Sequence, residues 1–123
     1  MIFRRDPKKP NQIFVFGSNL AGRHGKGAAL EAKKFWGAQP GVGVGPTGNS
    51  YALPTKDQSL RPLPLDEINQ HVREFILYAK ENWHLEFLVS KVGCGLAGYP
   101  EDYIAPMFKN APDNCVLPEG WRK

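Results

Sequence analysis

Apolar and polar positions follow two rhythms along this chain. Ile13-Phe14-Val15-Phe16 is apolar at every position, which suits a strand buried on both faces of a parallel sheet. Beyond a glycine-rich turn, Ala28, Ala32, Phe35 and Trp36 recur at i, i+4, i+7 and i+8, one face of an amphipathic helix that Gly37 is placed to end. Gln39 to Asn49 has no period and carries Gly41, Gly43, Gly45 and Gly48, the composition of a loop or irregular hairpin. Ser50 to Leu53 reads as a short strand running into Pro54-Thr55-Lys56-Asp57, and Leu60-Arg61-Pro62-Leu63-Pro64 as a connector. Leu65-Asp66 opens the clearest helix, with Asp66 as its N-cap. Its apolar face is Ile68, Val72, Phe75, Ile76, Ala79 and Trp83, opposite Glu67, Gln70, Arg73, Glu74 and Lys80. Trp36 and Trp83 on these faces read as core. Glu86 to Val92 forms the next strand. Tyr103, Ile104, Met107, Phe108 and Ala111 suggest a short helix, which Pro106 must begin or kink, and Cys115 to Leu117 a last strand.

Strands and helices therefore alternate, which predicts an α/β fold in which helices cover a mixed, mainly parallel sheet, as a single domain over 1–123. The first 12 residues are a basic, proline-broken segment (Arg4, Arg5, Lys8, Lys9), with an edge strand at Ile2-Phe3 as its one candidate element. The apolar share of 41% and charged share of 23% are those of a folded globular domain. No apolar run approaches the ~18 residues of a membrane span, and no apolar core follows the N-terminal charges as in a secretory signal. A cytoplasmic protein without membrane partners is expected, with Cys94 and Cys115 reduced. The net charge of +4 suits an anionic ligand and leaves nucleic acid open as a partner. Nothing in the sequence addresses oligomeric state.

Two glycine-rich turns each follow an apolar strand. One is Gly17-Ser18-Asn19-Leu20-Ala21-Gly22-Arg23-His24-Gly25-Lys26-Gly27 and the other Gly93-Cys94-Gly95-Leu96-Ala97-Gly98-Tyr99-Pro100. Strand, glycine turn and helix start together present backbone N–H groups to an anion. Two such turns predict the walls of one phosphate-lined cleft. Neither is a Walker A loop, because Gly25-Lys26 lacks a following Ser or Thr, and neither matches Gly-x-Gly-x-x-Gly with its distant acid. Ser18 lacks the Gly-x-Ser-x-Gly elbow. Cys94 has no histidine tied to it and suits the turn as a small residue. No spacing of His, Cys, Asp and Glu indicates a metal site, and no cofactor is implied. His24 in the first turn reads either as a ribose or phosphate contact or as an exposed loop residue. Tyr99 reads as a stacking cap on a ligand or as packing against the following helix. His71 and His84, on or beside the long helix, read as structural or solvated.

Phe14-Val15-Phe16-Gly17-Ser18-Asn19, followed by Gly25-Lys26-Gly27-Ala28-Ala29, resembles the macrodomain pattern of a strand ending in Asn and a glycine loop opening a small-residue helix. Lys91-Val92-Gly93-Cys94-Gly95-Leu96-Ala97-Gly98 resembles that family's second, phosphate-gripping loop. The likeness is nearest the branch of the terminal ADP-ribose glycohydrolase and the DNA ADP-ribosyl glycohydrolase antitoxins, where Leu53-Pro54-Thr55-Lys56 also has a counterpart. The matches keep their order and cover most of residues 13–117. The resemblance implies a compact three-layer α/β/α fold and a site for ADP-ribose or an ADP-ribosylated substrate. It places Asn19 at the distal ribose and Gly25 to Ala28 (with Lys26 and Gly27) around ribose and pyrophosphate, and Gly17, Ser18 and His24 of the same turn join them as candidate ligand-binding residues. Gly93, Cys94, Gly95, Leu96, Ala97, Gly98 and Tyr99 would face the phosphates from the other side. Lys56 matches the branch's catalytic lysine, whose unprotonated amine can attack an anomeric carbon or form a Schiff base. The chain departs from the pattern twice. It has no match to the family's adenine-reading acid, and Ala97 stands where the ester-hydrolysing branch carries an acid.

Three readings follow. The first is an ADP-ribose-binding protein that hydrolyses ADP-ribosyl linkages through Lys56. The second is a non-catalytic ADP-ribose or nucleotide-binding module. The third is a small nucleic-acid-binding protein using the basic N-terminal segment, which lacks a recognisable recognition module.

Overall fold

A computed structural model describes residues 3–122 of the chain. Five strands form one sheet: β1 (Gln12–Asn19), β2 (Gly45–Thr47), β3 (Ser50–Lys56), β4 (Glu86–Val89) and β5 (Cys115–Val116). Their order is β2-β3-β1-β4-β5, with β2 antiparallel to β3 and every other pair parallel. The helices are α1 (Gly27–Phe35), α2 (Leu65–Glu81) and α3 (Glu101–Ile104), the last continuing as a 3-10 turn over Ala105–Phe108.

Side chains alternate across a strand, so β1 serves two cores at once. Ile13 and Val15 join Tyr51, Leu53, Phe87 and Val89 beneath α2 and the α3 segment. Phe14 and Phe16 join Ala52 and Leu88 beneath α1 and Trp36. This is why the run is apolar at every position, and it makes the domain three layers, α/β/α. The larger core centres on Phe75 of α2, whose ring lies 5.1 Å from Tyr51, 5.4 Å from Phe87 and 6.3 Å from Phe108. Its truncation to alanine would cost about 3–5 kcal/mol. On the other face, Ala29 and Ala32 let α1 lie close to the sheet, and Trp36 stacks on Phe14 at 5.5 Å.

Several elements differ from the sequence reading. The buried face of α1 runs through Ala29, Ala32 and Trp36, and Phe35, one step out of phase, is 44% exposed. Trp83 is not core. The helix stops at Glu81, the Asn82 backbone turns away (ψ 54), and Trp83 stands 78% exposed. The N-cap of α2 is Pro64, with extended ψ 149, and not Asp66, whose carboxylate accepts the Glu67 N–H at 3.1 Å from within the first turn. The loop after Gln39 contains β2, which forms a hairpin with β3. β3 runs on through Pro54 to Lys56, and the proline is tolerated because β2 pairs only with Ser50 to Ala52. β4 ends at Val89 and β5 at Val116, both shorter than read. Pro106 lies where α3 tightens into the 3-10 turn. Of the expected edge strand, Ile2 lies outside the described residues, and Phe3 is irregular and packs edge-on against Phe14 at 5.9 Å. Among the described residues no helix is long and apolar enough to cross a membrane.

The chain leaving β1 goes to the β2–β3 hairpin on one side, and the chain leaving β4 goes to β5 on the other. The carboxyl ends of β1 and β4 thus flank a topological switch point, where open α/β sheets form their ligand crevice.

Candidate ligand-binding cleft

Pairing between β1 and β4 stops at Val15 and Val89, while β1 keeps pairing with β3 as far as Asn19 and Lys56. The two strands therefore part, and a cleft of about 800 Å³ opens between the segments that follow them. Hydroxyls close its floor. Ser90 donates through Oγ (2.7 Å) and N–H (3.0 Å) to the Val15 carbonyl, and Thr55 Oγ1 donates to the Ser18 carbonyl at 3.3 Å.

The first wall is the turn between β1 and α1. The Asn19 amide clasps the backbone of Arg23, accepting its N–H and donating to its carbonyl, both at 2.9 Å. Behind the turn, Ser18 Oγ donates to the Gly43 carbonyl at 2.5 Å and the His24 Nε2 meets the Gln39 carbonyl at 3.0 Å. His24 also sets its ring edge-on to Phe16 at 5.3 Å. Gly43 permits this close approach, since a Cβ there would strike the Asn19 carbonyl oxygen. The wall ends at Lys26, extended at φ −148 and ψ 158, which begins α1 without a side-chain cap and with no acid in the first turn. The first turn of α1, Gly27 to Ala29, whose amides have no partner within the helix, lines the cleft and carries no carboxylate.

The second wall is the turn between β4 and α3. Cys94 N–H donates to Lys91 (3.1 Å), Gly98 N–H to Gly95 (3.0 Å) and Tyr99 N–H to Gly93 (2.9 Å), so the segment curls on itself. Gly93 has φ +78, and a Cβ there would press on Ile104 Cδ1 at 3.0 Å, so this position admits little besides glycine. Leu96, 62% exposed, reaches across the mouth, and its Cδ1 lies 3.5 Å from where a Cβ on Gly27 would be. At Gly25 and Gly95 the same construction meets nothing within 4 Å, so both glycines leave room for a ligand.

Arg23, Lys26, Lys56 and Lys91 bring positive charge to the lining. Lys91 is ion-paired with Glu101 at 3.3 Å, and among the described residues the other three have no ion-pair partner. Glu101 also accepts the Trp121 Nε1–H at 2.8 Å, and that bond first, then Lys91, holds its carboxyl below the ordinary range. Burial pushes the Cys94 thiol up, Glu101 adds to the shift and Lys91 opposes it, so Cys94 stays protonated near neutral pH and is a poor nucleophile. Cys115 is pushed up to about 11, mainly by burial, and both cysteines are free. Lys56 ends β3, half-buried, with its carbonyl accepting the Leu20 N–H at 3.0 Å. Among the described residues no group of three or more His, Cys, Asp or Glu side chains is arranged to hold a metal ion.

The cleft brings together Lys56, Gly17, Asn19, Gly25, Lys26, Gly27, Ala28, Gly93, Cys94, Gly95, Leu96 and Ala97. Four expected residues fall outside its lining. Ser18 and His24 brace the first turn from behind, Gly98 closes the second through its N–H on the Gly95 carbonyl, and Tyr99 packs on the larger core with its hydroxyl on the Leu63 carbonyl at 2.6 Å. Sequence reasoning missed Arg23, Ala29, Thr55, Leu60, Ser90 and Glu101, and assigned no role to Lys91 and Val92. Most of these adjoin the two turns in sequence, which was the available signal. Glu101 follows the second turn directly as the start of α3, whereas Leu60 arrives by chain reversal and nothing local marks it. A shallower groove carries the basic N-terminal segment, where Arg5 is committed to Asn49 Oδ1 (3.1 Å) and to the Trp36 face (5.4 Å). His71 lies beside Glu74 at 3.5 Å and His84 beside Trp83, both away from the cleft.

Compared with family models, with curated proteins and with solved structures, the chain has no match.

Proposed function

We propose that the cleft binds ADP-ribose or a derivative of it, and that Lys56 gives it a hydrolytic activity toward ADP-ribosyl linkages. One observation carries the binding reading: two glycine turns, over 60 residues apart, meet at the switch point between β1 and β4 with an acid-free helix start between them. Pyrophosphate fits such a place, because uncrowded amides and a helix N-terminus favour a dianion without a bulky side chain in the way. Leu60 and Leu96 add apolar surface that a bare phosphate would not use but a nucleoside diphosphate sugar would. The macrodomain resemblance of both turns supports the same ligand.

For catalysis, the neutral Lys56 amine would attack the anomeric carbon of the terminal ribose. The bond to the acceptor breaks, the acceptor leaves with the electron pair and takes a proton, and water then releases ADP-ribose from the lysine. A second reading, a binding module without chemistry, is favoured by Ala97. The lining has no carboxylate there, and Glu101, the acid the lining does contain, is held by Trp121 and Lys91.

Titration calorimetry of ADP-ribose into the protein tests the binding, with Gly25→Glu as the blocked site. Turnover of an ADP-ribosylated substrate by wild type and Lys56→Ala tests the chemistry. Binding kept and turnover lost in Lys56→Ala supports the enzyme; binding without turnover in the wild type supports the module.

A further inference from the structure

Leu60 is the one non-glycine residue with a left-handed backbone among the described residues, at φ +65. Leucine has no polar side chain to offset that conformation, as asparagine or aspartate would. The turn around it is fastened from all sides by Asp57. The Asp57 carboxylate accepts the N–H groups of Ser59 (2.8 Å) and Arg61 (2.9 Å), and its own N–H donates to the Arg61 carbonyl at 2.8 Å. The Leu60 N–H donates to the Asp57 carbonyl at 3.1 Å, and Lys56 bridges to Pro62. Such bracing keeps an unfavourable backbone in place, and strain of this kind collects where a side chain must be presented to a ligand. The side chain it presents is only partly covered, at 38% exposure, and lines the cleft four residues beyond Lys56. Burial therefore does not explain why an apolar residue occupies this position.

We propose that Leu60 is a specificity-determining contact of the cleft, supplying the apolar wall against which the C–H face of the ligand's terminal ribose packs. This rests on the ADP-ribose reading. It makes the turn after β3 the part of the site that separates ADP-ribose from ADP, which shares the pyrophosphate but lacks that sugar.

The test uses wild type, Leu60→Gly, Leu60→Asn and Leu60→Met, each measured for thermal unfolding and for calorimetric affinity toward ADP-ribose and toward ADP. Glycine and asparagine tolerate the left-handed backbone, so their unfolding midpoints hold or rise. Their ADP-ribose affinity falls about fivefold, their ADP affinity stays, and Leu60→Met keeps wild-type binding. Unchanged ADP-ribose affinity in both, or a fall in both midpoints, overturns the inference while the ADP-ribose reading stands. An equal loss for ADP and ADP-ribose also overturns it, because the contact would then lie elsewhere on the ligand. A wild type that binds no ADP-ribose removes the underlying reading, and this inference with it.

Discussion

The starts of α1 and α2 have the same backbone problem and opposite solutions. Each begins after an extended residue, Lys26 or Pro64, and neither has a side-chain cap. α2 places Asp66 and Glu67 in its first turn, where carboxylates offset the positive end of the helix dipole. α1 has no acid in its first turn and a lysine at its cap, an arrangement that costs stability in the free protein. Its far end is conventional, with Lys33 and Lys34 in the last turn, so the unfavourable charge is confined to the end that faces the cleft. α3 follows α2, with Glu101 and Asp102 in its first turn. Of the two helix starts at the cleft, α1 therefore offers bare amides and a lysine, while α3, whose Glu101 also lines it, carries its own acids.

The difference can be erased by Ala28→Glu, which gives α1 the carboxylate that α2 already has. ADP-ribose affinity should fall at least about a hundredfold, near 2.7 kcal/mol, while the urea midpoint holds or rises. Next in size is Lys26→Ala. Calorimetry should show affinity weakened about fivefold, or about 1 kcal/mol, together with a stability gain of about 0.3–0.5 kcal/mol in urea titration. Opposite signs in one variant are the signature of a site kept at the expense of stability. The converse change, Asp66→Ala with Glu67→Ala in α2, should lower stability by about 0.5–1 kcal/mol and leave ADP-ribose affinity untouched. The smallest effect belongs to Glu101. Its folded carboxyl lies below the ordinary range, through Trp121 first and Lys91 second, so the unfolded chain takes up the proton first as pH falls. Its contribution is therefore complete at neutral pH and above, and is lost as pH drops below the ordinary carboxylate range. The Trp121 indole N–H resonance should shift in that acid window and be constant from pH 6 to 8. A resonance that does not move as the Glu101 carboxyl is protonated would contradict the contact.

Much of the fold was legible because burial on both faces leaves no freedom in composition: Ile13 to Phe16 could be little else than a central strand. α2 was legible for a related reason, since its 3.6-residue stripe faces one broad core. Errors arose where tertiary contacts overrule the local pattern. Trp83 continues the stripe of α2 in sequence, but the chain has already turned at Asn82. Pro54 reads as a strand end, yet β3 passes through it because β2 is short. At the cleft, the glycines announced both walls. Which neighbours face inward was not legible, because Ser18, His24 and Tyr99 have polar groups of the same kind but commit them to Gly43, Gln39 and Leu63 behind the walls. Leu60 was invisible for another reason: its place depends on a backbone angle and on the turn fastened by Asp57, not on its residue type.

Calorimetric titration of ADP-ribose into wild type and Gly25→Glu tests the cleft most directly. Gly25 lines the cleft, and a side chain built there meets no other atom within 4 Å, so the variant should unfold at the same temperature as wild type. Micromolar or tighter binding by wild type, lost in Gly25→Glu with its unfolding unchanged, is the predicted result. No binding by wild type at millimolar ADP-ribose, or equal binding by both proteins, would contradict it.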